Sequence, residues 1–351
     1  MNSILIIIVC GFLILLIEVN ANNFSNSSDD FNIGLVREER KSEGSEYDEF
    51  GYDFLKHNSY STIVEYLRTV TDKYKSLAKM NIIGRTYEDR KIIAVHVTKE
   101  SELKKKVIVF ECGVHAREWT PIETCIYVMK MMIYGGSNRT IQSQLLEKYH
   151  LIFLPVVNPD GYVYSFTHDR MWRKNRRPMQ EFEGKICVGV DINRNFDTDF
   201  CKSGKRNPCS LTYCGPEPFS EKENQAIRRV LLKHHKNLLA YFSIHSFGNL
   251  WMTPFSYKKD YPKDYNDLLR VALAGVEGVK KLRNTSMKIG PVSIILYGSD
   301  GTSIDYAYLK GKAKYSFALE LGKTFSTDTR KELALQLREY YDGFIAAMMA
   351  M

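Results

Sequence analysis

The sequence has only one long hydrophobic run, and it lies at the N-terminus. The run from Ile4 to Ile17 has 14 residues, whereas a membrane-spanning helix needs about 20. Small residues in Val19-Asn20-Ala21 follow at the spacing that signal peptidases prefer, although no basic residue precedes the run. We therefore expect residues 1–21 to be a cleaved signal peptide and the protein to be secreted. A signal anchor is the alternative.

Cysteine is scarce, with 7 residues in the chain. Removal of Cys10 with the signal peptide leaves an even set of six, and such sets usually pair in an oxidising compartment. Sequons for N-glycosylation, which matter only in a secreted protein, begin at four positions: Asn23, Asn26, Asn138 and Asn284. Sequons occur often by chance, so they support secretion only weakly.

The composition shows no strong bias. Hydrophobic residues make up 44% and charged residues 26%, as is ordinary for a soluble globular protein. The net charge is +8, but Lys and Arg are spread along the whole chain. This distribution favours a solvated basic surface, and we expect neither a nucleic-acid partner nor stable association with a membrane.

Residues 22–56 differ from the rest of the chain because they are rich in carboxylates and poor in aliphatic side chains. Such a segment buries too little apolar area to offset its ordering entropy, so we expect a short flexible acidic arm. The run from Arg37 to Lys41 is either a processing site or a plain charged stretch. One folded domain is expected over residues 57–351.

From Tyr60 onward, strand-like and helix-like patterns alternate. Four apolar runs predict buried strands: Val107–Phe110, Leu151–Val157, Ala240–His245 and Tyr315–Glu320. Helices are predicted by capping boxes at Thr120–Glu123 and Ser220–Glu223, and by helical spacing over Leu268–Val279 and Leu333–Phe344. The alternation predicts one α/β domain with a mixed, mostly parallel twisted sheet and helices on both faces.

Side chains able to bind a metal lie at the ends of two predicted strands. His115 and Glu118 follow the strand that ends at Phe110, and His245 ends another strand. Functional groups in α/β proteins gather at the carboxyl ends of strands. Each histidine alone is more often a hydrogen-bonded structural residue, but two His and one Glu together form a plausible open zinc site.

Glu320 ends a further apolar strand, where an unpaired carboxylate is costly to bury. A general base beside a metal centre is a good reason to keep a carboxylate there. A structural ion pair with an arginine is the alternative.

An ordered series of motifs resembles the pancreatic-type zinc metallocarboxypeptidases, the carboxypeptidase A and B group. The resemblance runs from about Tyr60 to the C-terminus. It rests on segments that match in the family's order: Gly113–Trp119, Leu154–Tyr162, Met171–Lys174, Gly189–Asn195, Ser243–Ser246, Ser303–Tyr306 and Tyr315–Glu320.

The resemblance implies a secreted exopeptidase that holds one Zn²⁺ per chain and acts as a monomer on peptide and protein C-termini. It implies that His115, Glu118 and His245 bind the zinc and that Glu320 is the general base and acid. Arg173 would stabilise the oxyanion. The residues implied to contact substrate are Asn193 and Arg194, which would hold the terminal carboxylate, together with Tyr297, Arg117 and Arg170.

The resemblance also implies a specificity pocket. Ile304 stands where the B-like enzymes carry an acid that receives Lys or Arg, and apolar residues match the other lining positions: Met252, Val292, Leu296 and Ala318. An apolar pocket favours aromatic or large aliphatic C-terminal residues. Asp300 could change this preference, so basic-residue specificity remains an alternative.

The cysteine spacing resembles the B-like enzymes and implies three disulfides: Cys112–Cys125, Cys187–Cys209 and Cys201–Cys214. Two features depart from the family. The segment before the catalytic domain is too short for the family's inhibitory prodomain, which implies either no zymogen inhibition or a truncated gene model. Phe247 stands where a tyrosine often follows His-Ser.

Two other functions compete with an exopeptidase. The first is a secreted binding protein that kept the fold and lost catalysis, although the ligands, the base and the carboxylate clamp are all present in the sequence. The second is a metalloenzyme that acts on another amide, such as a peptidoglycan fragment. The Asn193, Arg194 and Tyr297 group argues against this second function.

Overall fold

The structure is a computed structural model that describes residues 48–100, 104–136, 139–204, 206–327 and 329–351, and the backbone of two further strands. These strands, β1 (Ile4–Cys10) and β2 (Leu13–Val19), pair antiparallel and belong to a different structural unit from residues 48–351. Parts of the predicted signal peptide and acidic arm, including residues 20–47, lie outside the described residues, as do the sequons at Asn23, Asn26 and Asn138. Those predictions stay predictions.

Residues 48–351 form one α/β domain around an eight-stranded mixed sheet. Its strands, in chain order, are β3 (Ala78–Arg85), β4 (Lys91–Val97), β5 (Lys106–Cys112), β6 (Tyr149–Leu154), β9 (Leu238–His245), β10 (Leu250–Thr253), β11 (Lys288–Pro291) and β12 (Tyr315–Glu320). The spatial order is β11-β10-β12-β9-β5-β6-β4-β3. The central strands β12, β9, β5 and β6 are parallel, and antiparallel pairs connect this centre to β10 and β4.

Helices connect these strands. They are α1 (Tyr60–Lys73), α2 (Trp119–Gly135), α3 (Ile141–Lys148), α4 (Pro159–Thr167), α5 (Lys222–His234), α6 (Tyr265–Arg283), α7 (Val292–Ile295), α8 (Ser303–Leu309) and α9 (Arg330–Ala350). A small hairpin, β7 (Gln180–Phe182) and β8 (Lys185–Cys187), and a 3₁₀ turn at Ile192–Arg194 lie in the long connection between α4 and α5.

The sheet is buried on both faces. Successive side chains of a strand point to opposite sides, so each central strand contributes residues to two cores. In β5, Ile108 and Phe110 join a core that includes residues of α1, α2, α6 and α9, whereas Val107 and Val109 join a second core with residues of α5 and α8. The predicted fold class, with helices on both faces of a mixed and mostly parallel sheet, is confirmed. Among the described residues, no helix combines the length and the apolarity needed to cross a membrane.

The C-terminal boundary of the predicted flexible arm is wrong, because the last residues assigned to the arm pack against the folded domain. Tyr52 and Phe54 are 1% and 6% exposed, and the Tyr52 ring lies 4.4 Å from that of Tyr66 in α1. Asp53 forms an ion pair with Arg330 at 2.9 Å. For residues 48–56 the prediction was wrong, because two aromatic side chains are enough to anchor this polar stretch to the core.

The capping box predicted at Thr120–Glu123 is not formed. Helix α2 begins two residues earlier than this box predicts, at Trp119, with Glu118 in the N-cap position. The Glu123 carboxylate accepts hydrogen bonds from the Tyr52 hydroxyl at 2.7 Å and from the Asn58 amide at 2.8 Å. Glu123 therefore serves a tertiary contact that its local sequence does not reveal.

The capping box predicted at Ser220–Glu223 also fails. Helix α5 begins at Lys222 with Glu221 in the N-cap position. The Glu223 carboxylate instead accepts a hydrogen bond from the side-chain amide of Asn175 at 3.0 Å, inside the fold.

Two of the three predicted disulfides are present: Cys187–Cys209 and Cys201–Cys214. The third pair, Cys112 and Cys125, is not bonded. Both are fully buried thiols in contact with each other, and burial raises the pKa of Cys112. The prediction of this disulfide was wrong, since β5 and α2 are held together there by packing without a covalent bond.

The Tyr52–Glu123 contact predicts a stability effect. Replacing Tyr52 by Phe removes the hydroxyl donor and leaves a buried carboxylate oxygen without it. We expect the free energy of unfolding to fall by about 1–3 kcal/mol, measured by urea denaturation. The control Tyr261→Phe, at a side chain that is 52% exposed, should change it by less than about 0.5 kcal/mol. Equal values for the two variants would contradict this account.

Candidate active site

The parallel centre of the sheet brings the predicted site residues to one edge. Strands β5, β9 and β12 lie side by side and run in the same direction, so their carboxyl ends meet. Glu320 is directly opposite His245 in the pairing of β12 with β9. The loop after β5 carries His115 and Glu118 to the same edge.

His115, Glu118 and His245 form a buried cluster with one ligand atom from each side chain within 4.8 Å of the others. The Nδ1 atom of His115 lies 2.7 Å from Glu118 Oε1, and the Nδ1 atom of His245 lies 3.0 Å from Glu118 Oε2. The two Nδ1 atoms are 3.1 Å apart. Two imidazole nitrogens and a carboxylate oxygen that converge in this way fit a catalytic zinc site, which leaves one coordination position open.

The electrostatics of the cluster follow from its burial. Burial alone would raise the pKa of Glu118, but the adjacent imidazoles of His115 and His245 outweigh it and hold this pKa below its ordinary value. Burial would lower the pKa of His245, but the Glu118 carboxylate outweighs it and raises the pKa to about 9. The three side chains therefore interact strongly, and the Glu118 carboxylate stabilises positive charge placed next to it.

Hydrogen bonds outside the cluster orient the two imidazoles. His115 Nε2 lies 3.2 Å from Asp191 Oδ1, and His245 Nε2 lies 2.8 Å from Ser243 Oγ. These contacts hold the Nδ1 atoms toward Glu118 and fix the ring orientation, as is usual for histidines that bind metals. Asp191 also accepts two hydrogen bonds from Arg173, at 2.9 and 3.0 Å.

Sequence reasoning missed Asp191 as an orienting residue. It lies within the Gly189–Asn195 motif, two residues before Asn193. The sequence offers one indication of its role, because Asp191 stands next to residues that were assigned to substrate binding. Nothing in the sequence identifies which histidine and arginine it contacts.

Glu320 lines the cavity next to this cluster, and its Oε2 atom is buried without a hydrogen-bond partner. Burial, followed by the nearby Glu118 carboxylate, raises the pKa of Glu320 above its ordinary value. The alternative of a structural ion pair is not realised in the described residues, because the Glu320 carboxylate forms no ion pair within 4 Å there.

Charged and polar side chains converge on the same cavity. Arg173, Asn193, Arg194 and Tyr297 all line it. The Nε atom of Arg194 is buried without a hydrogen-bond partner, so this guanidinium can still donate to a ligand. Tyr297 is 49% exposed at the cavity wall.

The remaining wall of the cavity is partly apolar. Its apolar part is formed by the five residues that the sequence assigned to the pocket: Met252, Val292, Leu296, Ile304 and Ala318. The hydroxyl side chains of Ser256, Ser299 and Thr302 line the cavity as well. Ile304 is only 2% exposed. The carboxylate of Asp300, which could have altered the pocket, instead accepts a hydrogen bond from the backbone amide of Ser203 at 2.5 Å.

A family model for zinc carboxypeptidases matches residues 63–341, most of the chain. The chain belongs to the zinc carboxypeptidase family.

Members of both specificity groups are similar to the chain. Carboxypeptidase B of Rattus norvegicus is 36% identical over 275 residues, covering 78% of this chain and 65% of the rat protein. Mast cell carboxypeptidase A of Mus musculus is 33% identical over 271 residues, covering 77% of this chain and 64% of the mouse protein. The match thus spans slightly less than two thirds of either relative, and the similar identities do not separate A-like from B-like specificity.

A solved structure supports the same relationship. Bovine thrombin-activatable fibrinolysis inhibitor, determined in complex with tick carboxypeptidase inhibitor, superposes with a TM-score of 0.75 at 31% identity. The superposition covers 84% of this chain and 97% of the bovine chain.

Two arginines predicted to contact substrate lie outside the cavity wall. The Arg117 guanidinium lies 4.2 Å from the centre of the Phe325 ring, and that of Arg170 lies 3.6 Å from the Trp119 ring. Arg170 also donates to the Arg117 carbonyl oxygen at 2.9 Å. The structure therefore brings Arg173 and Arg194 to the cavity, whereas Arg117 and Arg170 pack against aromatic rings. Their role in substrate binding stays a prediction.

The predicted metal centre can be tested by removing one ligand. His115→Ala removes one of three donors, so we expect zinc affinity to fall by more than ~100-fold, beyond the effect of losing an orienting residue. Metal analysis after dialysis against a competing chelator measures this. His168→Ala, at an exposed histidine, should retain zinc. Retention of the bound zinc by the His115 variant would exclude His115 as a ligand.

Proposed function

We propose that this protein is a secreted zinc exopeptidase that hydrolyses the C-terminal peptide bond of peptides and proteins. The observation that carries the proposal is a single cavity that joins three elements. These are the His115, Glu118 and His245 cluster, the Arg194 guanidinium and an apolar wall at Ile304. A C-terminal residue offers a scissile carbonyl, a carboxylate and a side chain, and each of these has a partner in the cavity.

Recognition of the terminal carboxylate is assigned to Arg194 and Asn193. A guanidinium pairs well with a carboxylate, and the unsatisfied Nε of Arg194 is available for that contact. Asn193 is held in place because its Oδ1 accepts a hydrogen bond from the Ser303 amide at 2.9 Å. Tyr297, half exposed beside them, would cover the bound residue.

Zinc bound by His115, Glu118 and His245 would polarise the scissile carbonyl and lower the pKa of a water molecule. Glu320 would take a proton from the attacking water and then deliver it to the nitrogen of the leaving amine as the C–N bond breaks. Its pKa, raised by burial, suits a group that must both accept and release a proton near neutral pH. Arg173, held by Asp191, would stabilise the negative charge that develops on the carbonyl oxygen.

The proposed preference is for aromatic or large aliphatic C-terminal residues. The part of the wall formed by Ile304 and the other assigned pocket residues is apolar, and the three hydroxyl side chains that also line the cavity carry no charge. Asp300 is engaged with Ser203 outside the cavity wall. A lysine or arginine side chain in this wall would lose hydration without gaining a counter-charge. Basic-residue specificity and a catalytically silent binding protein are the alternatives that the experiments below distinguish.

Removal of the proposed base should separate catalysis from metal binding. Glu320→Gln keeps the side-chain size but cannot accept the proton, so we expect kcat to fall by ~10²–10⁴-fold with zinc content unchanged. The measurement is peptide hydrolysis together with metal analysis. Glu181→Gln, at an exposed position of β7, should leave kcat unchanged. Substantial activity in the Glu320 variant would mean that another group is the base.

Three peptides of identical body test the reaction and its specificity. One ends in Phe with a free carboxylate, one in Phe amide and one in Arg with a free carboxylate. We expect efficient removal of the free Phe, at least ~10²-fold slower cleavage of the amide because Arg194 loses its charged partner, and slow removal of Arg.

Each other outcome of this comparison identifies an alternative. Equal cleavage of the free and amidated peptides would exclude an exopeptidase and favour a metalloenzyme for other amides. Faster removal of Arg would favour B-like specificity. Cleavage of none of the three by zinc-loaded protein would favour a binding protein.

A further inference from the structure

Three histidines meet at a second place in the fold, outside the active-site cavity. His96 lies on β4, His150 on the neighbouring β6 and His234 in the last turn of α5. In the antiparallel pairing of β4 with β6, His96 is opposite Ile152, two residues from His150, so both imidazoles lie on the same face of the sheet. His234 is on the helix that packs on that face. All three side chains are half-buried.

His96 and His150 lie at a distance at which two side chains can share one ligand, and the His234 ring lies beside them. His96 Nδ1 lies 2.9 Å from His150 Nε2. Two imidazole nitrogens on one tetrahedral zinc ion are about 3.3 Å apart, given a Zn–N distance of about 2.0–2.1 Å. The His96 and His150 ring centres are 5.1 Å apart, and the His234 ring lies 5.9 Å from His150 and 6.4 Å from His96. The nitrogens of His234 do not lie within coordination distance of both other rings, so the His234 side chain must rotate to bring a third nitrogen into the same coordination shell.

We propose that His96, His150 and His234 form a second metal site, distinct from the active site, that binds one borderline divalent cation such as Zn²⁺ or Cu²⁺. The fourth coordination position would face the solvent. We refer to these three residues as the histidine cluster.

The protonation state of the histidine cluster favours metal binding at neutral pH. Burial lowers the pKa of His96 and of His150 to about 4, and it also lowers the pKa of His234. All three imidazoles are therefore neutral at pH 7 and keep a lone pair. Binding requires only that the proton shared by His96 Nδ1 and His150 Nε2 move to the other nitrogen of its ring, so no proton has to be released.

The surroundings select the kind of cation. Three imidazoles without an oxygen ligand suit zinc, copper or nickel and do not suit calcium or magnesium, which require oxygen ligands. The C-terminal end of α5 carries the negative end of the helix dipole, which stabilises a cation beside His234. Lysines at three positions repel a cation: Lys79, Lys105 and Lys233. We therefore expect weaker binding than in the active site.

The experiment compares two neighbouring histidines of the same helix end. His234→Ala removes one ligand of the histidine cluster. His235→Ala is the matched control, because His235 is exposed and its Nδ1 atom bonds instead to the Leu232 carbonyl oxygen at 2.7 Å. Tag-free full-length protein and both variants are titrated with zinc chloride at pH 7.5, and bound zinc per chain is counted by calorimetry and by metal analysis.

We expect the His234 variant to bind one zinc ion fewer than the unmodified protein, and the His235 variant to bind the same number. The test compares the number of zinc ions bound by the three proteins, so its result does not depend on whether the active site already contains zinc. With one equivalent of Cu²⁺ added to protein that holds a single zinc ion, electron paramagnetic resonance should show nitrogen couplings that change in the His234 variant and stay the same in the His235 variant. Equal zinc numbers in all three proteins, or equal loss in both variants, would overturn the proposal.

Discussion

The site depends on one constraint of the sheet, the parallel alignment of β5, β9 and β12. Adjacent parallel strands end at the same edge, and the register places Glu320 directly opposite His245. A slip of one residue in either strand would turn one of these side chains to the other face of the sheet. The packed cores on both faces prevent such a slip, because it would move side chains such as Phe242 and Phe317 out of the core that they fill and into the core on the other face.

This alignment creates an electrostatic problem that the surrounding residues resolve. Glu118 and Glu320 are two carboxylates at the same buried edge, and Asp191 is a third. Their charges are divided among different partners. Glu118 faces the imidazoles, Asp191 binds His115 and Arg173, and Glu320 keeps an oxygen without a partner. The resulting difference in proton affinity separates Glu118, the proposed metal ligand, from Glu320, the proposed base.

Much of this arrangement can be predicted from the sequence, for a specific physical reason. Buried strands are short apolar runs, and residues that follow such runs lie at the sheet edge, so the sequence alone predicts that His115, His245 and Glu320 lie together. The apolar wall around Ile304 also followed from the residues that match the family's pocket, and all five predicted positions line the cavity.

What the sequence did not reveal depends on contacts between distant segments. Glu123 has the spacing of a capping residue, but its partners are Asn58 and Tyr52, and Tyr52 belongs to a stretch that looks too polar to fold. The resemblance to the B-like enzymes implies a disulfide between Cys112 and Cys125, yet they pack as thiols. The histidine cluster is invisible in the sequence because its members are separated by more than fifty residues and meet only through strand pairing and the packing of α5.

The central claim is that the two imidazoles and the carboxylate at this sheet edge bind zinc beside Glu320. An anomalous difference map collected at the zinc absorption edge from crystals of the purified protein tests it most directly. The account predicts a peak at about 2.0–2.2 Å from His115 Nδ1, His245 Nδ1 and a Glu118 oxygen. No peak among these three side chains in zinc-loaded crystals would contradict it.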